Sequence, residues 1–236
     1  MRVEVRHSPA AGVARLHLNA GEEIRAESGA MMATSAGVTI SAQMRGGFLK
    51  ALSRSVLGGE SFFLTTFAAD PSRPSWVDVA PQLAGDIVTL NVTDGTPLVL
   101  TRGTWLANEA SVEIDAKWGG SKMFFGGEGG FVVRATGTGQ VVCSAYGAID
   151  VVQLGAGESM TLDTGHLVAY TDGLNVQVRK ATSSVTGMFT SGEGLVMDIT
   201  GPGTVWTQSR NPSALVSWIT ALLPKQSGGG GFSLNS

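Results

Sequence analysis

The chain has 236 residues, a formal net charge of −3, 33 glycines, 43% apolar residues and only 15% charged ones. That composition excludes intrinsic disorder, and the slightly acidic balance excludes a global basic field for nucleic acid or anionic lipid. The single cysteine, Cys143, excludes an intrachain disulfide and a cysteine-rich metal site; in the run Val141-Val142-Cys143 it reads as a buried, inert thiol on a strand.

From the N-terminus, Met1-Arg2-Val3-Glu4-Val5-Arg6-His7 alternates apolar and charged residues as a strand does, and it lacks the apolar centre of a secretory signal. No run approaches the roughly 18 apolar residues of a membrane-spanning helix, so a cytoplasmic protein is expected.

A pattern then occurs three times: a Gly, seven residues, a second Gly, and an Ala four residues on. The copies are Gly21, Gly29 and Ala33; Gly95, Gly103 and Ala107; and Gly157, Gly165 and Ala169. Between the glycines Ile24 and Ala26, Leu98 and Leu100, and Met160 and Leu162 alternate with other residues, which predicts a strand with one buried face and glycine turns around it. A second landmark trails each copy, Gly58-Gly59-Glu60, Gly126-Gly127-Glu128 and Ser191-Gly192-Glu193, and each leads into an apolar run. The later copies share a hairpin pattern, Ala135 to Val142 and Ile199 to Trp206; the first has a polar loop, Asp70 to Ser75, before a strand at Trp76 to Val79. These elements predict an all-β sandwich or barrel-like fold of three repeated modules, about 1–80, 81–145 and 146–210, related by a pseudo-threefold arrangement within a single domain 1–224.

One helix, 212–223, closes the domain. Asn211 suits the N-cap and Pro212 the first helical position, while Leu215, Trp218, Ile219 and Leu222 share a face. With no charge between Pro212 and Pro224, this face is expected to be buried against the sheets or against another subunit; a glycine-rich tail, 225–236, is expected to be flexible.

The run Leu57-Gly58-Gly59-Glu60-Ser61-Phe62-Phe63-Leu64-Thr65-Thr66-Phe67, the Gly-Glu-x-x-x-Ala-x-Ser-Gly-Ala-Met pattern at Gly21 to Met31, and the Asn-Pro-Ser helix start at Asn211 resemble the altered inheritance of mitochondria protein twenty-four family. The resemblance implies a β-sandwich or double-stranded β-helix of three repeats, likened to the tryptophan RNA-binding attenuation protein, and a homotrimer. It links mitochondrial relatives to inner-membrane organisation and supplies no catalytic residues.

Three residue sets are candidates for chemistry or binding. His7, His17 and His166 lack metal-ligand spacing. Glu60, Glu128 and Glu193 occupy equivalent repeat positions, where they either converge on a cation or accept hydrogen bonds from their own glycine turns. The segments before them carry Lys50 and Arg54, Lys117 and Lys122, and Arg179 and Lys180, which together would form a basic rim. The first is also amphipathic, with Phe48 and Leu52 at helical spacing, so it either caps the sandwich or meets a partner. The sequence thus favours a non-enzymatic binding or scaffold protein, a trimer without cofactor, presenting loops and the basic rim to a protein partner; anionic lipid remains a possible ligand of the rim. RNA binding by fold likeness and a metal-dependent enzyme built on the glutamates are the alternatives.

Overall fold

The computed structural model describes residues 1–43, 64–115, 132–181 and 195–223. The first module contains β1 (Arg2–Arg6), β2 (Val13–Leu18), β3 (Glu23–Glu27), β4 (Met31–Thr34), β5 (Thr39–Gln43), β6 (Leu64–Ala68) and β7 (Ser75–Val79). The second contains β8 (Ile87–Val92), β9 (Leu98–Thr101), β10 (Trp105–Glu109), β11 (Val112–Asp115), β12 (Val132–Gly137) and β13 (Gly139–Ser144). The third contains β14 (Ile149–Leu154), β15 (Ser159–Asp163), β16 (Leu167–Thr171), β17 (Asn175–Lys180), β18 (Leu195–Thr200) and β19 (Gly203–Gln208), and helix α1 (Pro212–Leu222) follows. The fold is all-β with a C-terminal helix.

Setting β1 aside, the strand order repeats. Strands one, six and three of a module form one half-sheet: β2-β7-β4, β8-β13-β10 and β14-β19-β16. Strands two, five and four form the other: β3-β6-β5, β9-β12-β11 and β15-β18-β17. The modules are then spliced. β10 pairs with β3, and β16 pairs with β9, so half-sheets of successive modules fuse into two 6-stranded sheets. At the ends of the array remain a 4-stranded sheet, in which β1 covers the edge of β2, and a 3-stranded sheet.

The alternation that predicts strands sets the core. On β2, Ala14, Leu16 and Leu18 point inward while Val13, Arg15 and His17 do not. The first apolar cluster joins Leu16, Ile24, Phe67 and Val77 to Leu106 and Val142 of the second module, so the modules share core as well as sheet. Strand three of every module carries a bulge at one repeat position, between Met31 and Ala33, Trp105 and Ala107, and Leu167 and Ala169.

The turn before strand two is clasped by a side chain. Gly21 (φ 73°) and Gly157 (φ 80°) take the left-handed conformation glycine favours. The next residue closes the turn: Glu22 Oε2 accepts from the Asn19 N–H at 2.8 Å, and Glu158 Oε2 accepts from the Gly155 N–H at 2.7 Å.

Candidate functional site

Glu60, Glu128, Glu193, Phe48, Lys50, Leu52, Arg54, Lys117 and Lys122 lie outside the described residues, as does the tail from 224 onward. Their segments have a common topological place nonetheless. Residues 44–63 join β5 to β6, residues 116–131 join β11 to β12, and residues 182–194 join β17 to β18. Each is the connection from strand four to strand five, and β5, β11 and β17 each end a sheet.

Arg179 and Lys180, at the end of β17, are exposed. The Arg179 guanidinium is engaged: Nη2 donates to Asp198 Oδ1 at 3.1 Å and Nε to Oδ2, while Thr161 Oγ1 donates to the same carboxylate at 2.7 Å. These bonds, Arg179's foremost, hold the Asp198 carboxyl below its ordinary range. Asp198 on β18 therefore ties β17, through Arg179, and β15, through Thr161, to the same carboxylate.

The histidines are dispersed. His17 Nε2 lies 3.0 Å from Glu4 across β1 and β2, and His166 Nδ1 lies 2.7 Å from the Gln208 carbonyl. Among the described residues no group of His, Cys, Asp and Glu could hold a metal ion. His166 instead belongs to a clasp at the base of α1. Gln208 Nε2 donates to the Gly165 carbonyl at 2.8 Å; Asp163 Oδ1 accepts from the Gly165 N–H at 2.7 Å and from Asn211 Nδ2 at 3.3 Å. Asn211 Oδ1 caps the helix by accepting from Ser213 and Ala214. Leu215 is half-buried, whereas Trp218 (63%), Ile219 (43%) and Leu222 (66%) are exposed, so the sheets of this chain do not cover the helix.

Two further ionisable groups are structural. Asp78 on β7 is buried and receives Arg6 and both Nε and Nη2 of Arg15, each at 2.8 Å. Cys143 is fully buried on β13, and burial pushes its thiol up to about 12, out of reach of nucleophilic chemistry at neutral pH.

The least expected feature is a difference between equivalent strands. Trp105 and Leu106 on β10 are fully buried, as are Leu167 and Val168 on β16 to within 2% exposure, yet Met31 and Met32 on β4 are 40% and 58% exposed. On the opposite side of the array, Met160 and Leu162 of β15 are half-buried where Ile24 and Ala26 of β3, and Leu98 and Leu100 of β9, are buried.

A family model described as mitochondrial biogenesis AIM24 matches residues 3–210. The chain belongs to the AIM24 family. An uncharacterized protein of Streptococcus pyogenes serotype M6 is 27% identical to it over 235 residues, covering 96% of this chain and 93% of that one. The X-ray crystal structure of protein SPYM3_0169 from Streptococcus pyogenes superposes with a TM-score of 0.79 at 25% identity, covering 94% of this chain and 99% of the other. AIM24 membership thus extends over the three-module array, and these bacterial relatives share its length. Among the described residues of this AIM24 chain, no helix is long and apolar enough to cross a membrane.

Proposed function

We propose that this AIM24-family chain is a non-enzymatic binding or scaffold protein that assembles as a homotrimer and presents its strand-four to strand-five connections to a protein partner. The observation that carries the reading is the equivalence of those three connections: segments holding Lys50 and Arg54, then Lys117 and Lys122, leave the modules at one repeat position, with Arg179 and Lys180 just before the third. Repetition of a basic segment within a chain, multiplied by assembly, suits multivalent contact, in which several weak sites act together. The exposed apolar face of α1, with Trp218, Ile219 and Leu222, adds a surface suited to association.

The test compares wild type with a Lys50→Glu, Arg54→Glu variant. The reading expects the same mass by light scattering in both and a partner from native lysate retained by wild type alone. Retention of RNA or of anionic vesicles in place of protein would replace the partner class, and turnover of a metabolite, abolished by one side-chain change, would overturn the non-enzymatic reading.

A further inference from the structure

We infer that β4 of one copy pairs antiparallel with β15 of a second copy, opposing Ala33 to Leu162, Thr34 to Thr161 and Ser35 to Met160. The inference rests on the assembly part of the reading above and specifies where and in what register copies join. Both internal junctions follow one rule. At the first, Ala107 faces Ala26, Asn108 faces Arg25 and Glu109 faces Ile24; at the second, Ala169 faces Leu100, Tyr170 faces Val99 and Thr171 faces Leu98. In repeat terms, strand three of each later module takes the free edge of strand two of the module before it. Two strands have no such partner among the described residues: β4, which pairs only with β7, and β15, which pairs only with β18. Transferring the rule to these strands gives the stated register without adjustment.

The side chains point the same way. Met31 and Met32 occupy the positions of Trp105 and Leu106, both completely buried, Leu106 in the core shared across the first junction and Trp105 in the second apolar cluster. Met160 and Leu162 occupy those of Leu98 and Leu100. An open edge with large apolar residues beside it is an adhesive surface, which proteins normally block; here β1 covers β2 at the far edge of the same sheet, while no described strand covers β4. A second copy supplies both the missing ladder and the missing apolar cover. The junction is head-to-tail, so copies that meet through it close into a ring if their rotation permits.

The buried Cys143 leaves the surface free of reactive thiols, which makes crosslinking specific. Chains carrying Thr34→Cys alone and Thr161→Cys alone are mixed and oxidised. A covalent dimer in the mixture, missing when Gln177→Cys on β17 replaces Thr161→Cys, is the expected result. The doubly substituted chain should give covalent multimers; a monomer-sized product with both thiols consumed would mean closure within one chain and would overturn the inference. Met32→Asp, exposed in the single chain and therefore compatible with folding, should shift the mass towards monomer. A wild type that is multimeric by light scattering, with no in-register crosslink, would sink the β4–β15 junction and leave the assembly reading intact; a wild-type monomer at every concentration would end both.

Discussion

The guanidinium carbon of Arg15 lies 3.9 Å from the centroid of the Trp76 ring. The same guanidinium reaches across β2 and β7 to Asp78, its direct cross-strand partner, through two bonds of 2.8 Å. Stacking and forked hydrogen bonding together require the planar arginine head, which lysine cannot reproduce.

Asp78 is the one buried charged side chain among the described residues. Asp78→Asn leaves Arg6 and Arg15, each about 30% exposed or less, without their carboxylate, and should destabilise the chain by about 2–4 kcal/mol in urea unfolding. The hydrogen bond from Arg15, assisted by Arg6 and opposed by burial, holds the Asp78 carboxyl below its ordinary value. A depressed carboxyl stabilises above its unfolded pKa of about 3.9 and loses that contribution as the pH falls through its native value. The gap between wild type and Asp78→Asn should thus be full at neutral pH and narrow in acid; a gap independent of pH would refute the assignment.

Glycines that look alike in sequence should respond differently to alanine. Gly137, at φ 95° in the β12–β13 hairpin, would place a Cβ 2.5 Å from the Ser111 carbonyl oxygen. Gly157, at φ 80°, has open space around its missing Cβ. Gly157→Ala should cost only the left-handed penalty of about 1–2 kcal/mol, and Gly137→Ala clearly more because backbone must move. Paired thermal melts check the order.

Cys143 should be silent to thiol reagents in the native state. With the side chain fully buried and its thiol pushed to about 12, labelling should proceed at the rate at which the β8–β13–β10 sheet opens, and should rise sharply with denaturant. Rapid stoichiometric labelling of the folded chain would contradict the packing.

Much of this architecture is legible in the sequence because it is local and repeated. Ile24, Leu98 and Met160 mark strand two, the Gly137 hairpin marks β12–β13, and Asn211-Pro212 marks the helix start. What sequence cannot supply is pairing between distant segments. Met31-Met32 and Trp105-Leu106 are equivalent in pattern, and only the neighbour of each strand decides whether they are buried. The Asp78 cluster is hidden likewise, since its arginines lie on β1 and β2, more than sixty positions away. Even the recurring second glycine has no common cause: Gly29 adopts φ 87°, Gly103 would tolerate a Cβ, and Gly165 yields space to Asn211, whose Nδ2 would lie 2.2 Å from a Cβ there.

Asn211 has two separable tasks, and substitutions can divide them. Its Oδ1 caps α1, and its Nδ2 ties the helix to Asp163 on the body. Asn211→Ala removes both, which should fray the helix and cost about 1 kcal/mol, seen as lost far-ultraviolet circular dichroism. Asn211→Asp retains an oxygen for the cap, and a negative charge there suits the helix dipole, but it sets two carboxylates against each other where one amide donated. That variant should keep its helical signal while the Trp218 part of the tryptophan fluorescence anisotropy, isolated by comparison with chains carrying Trp218→Phe, falls, because the helix remains formed but is no longer tethered at Asp163. If both variants lowered the helical signal equally, the Asp163 contact would be part of the cap itself, and the tether would have no separate role.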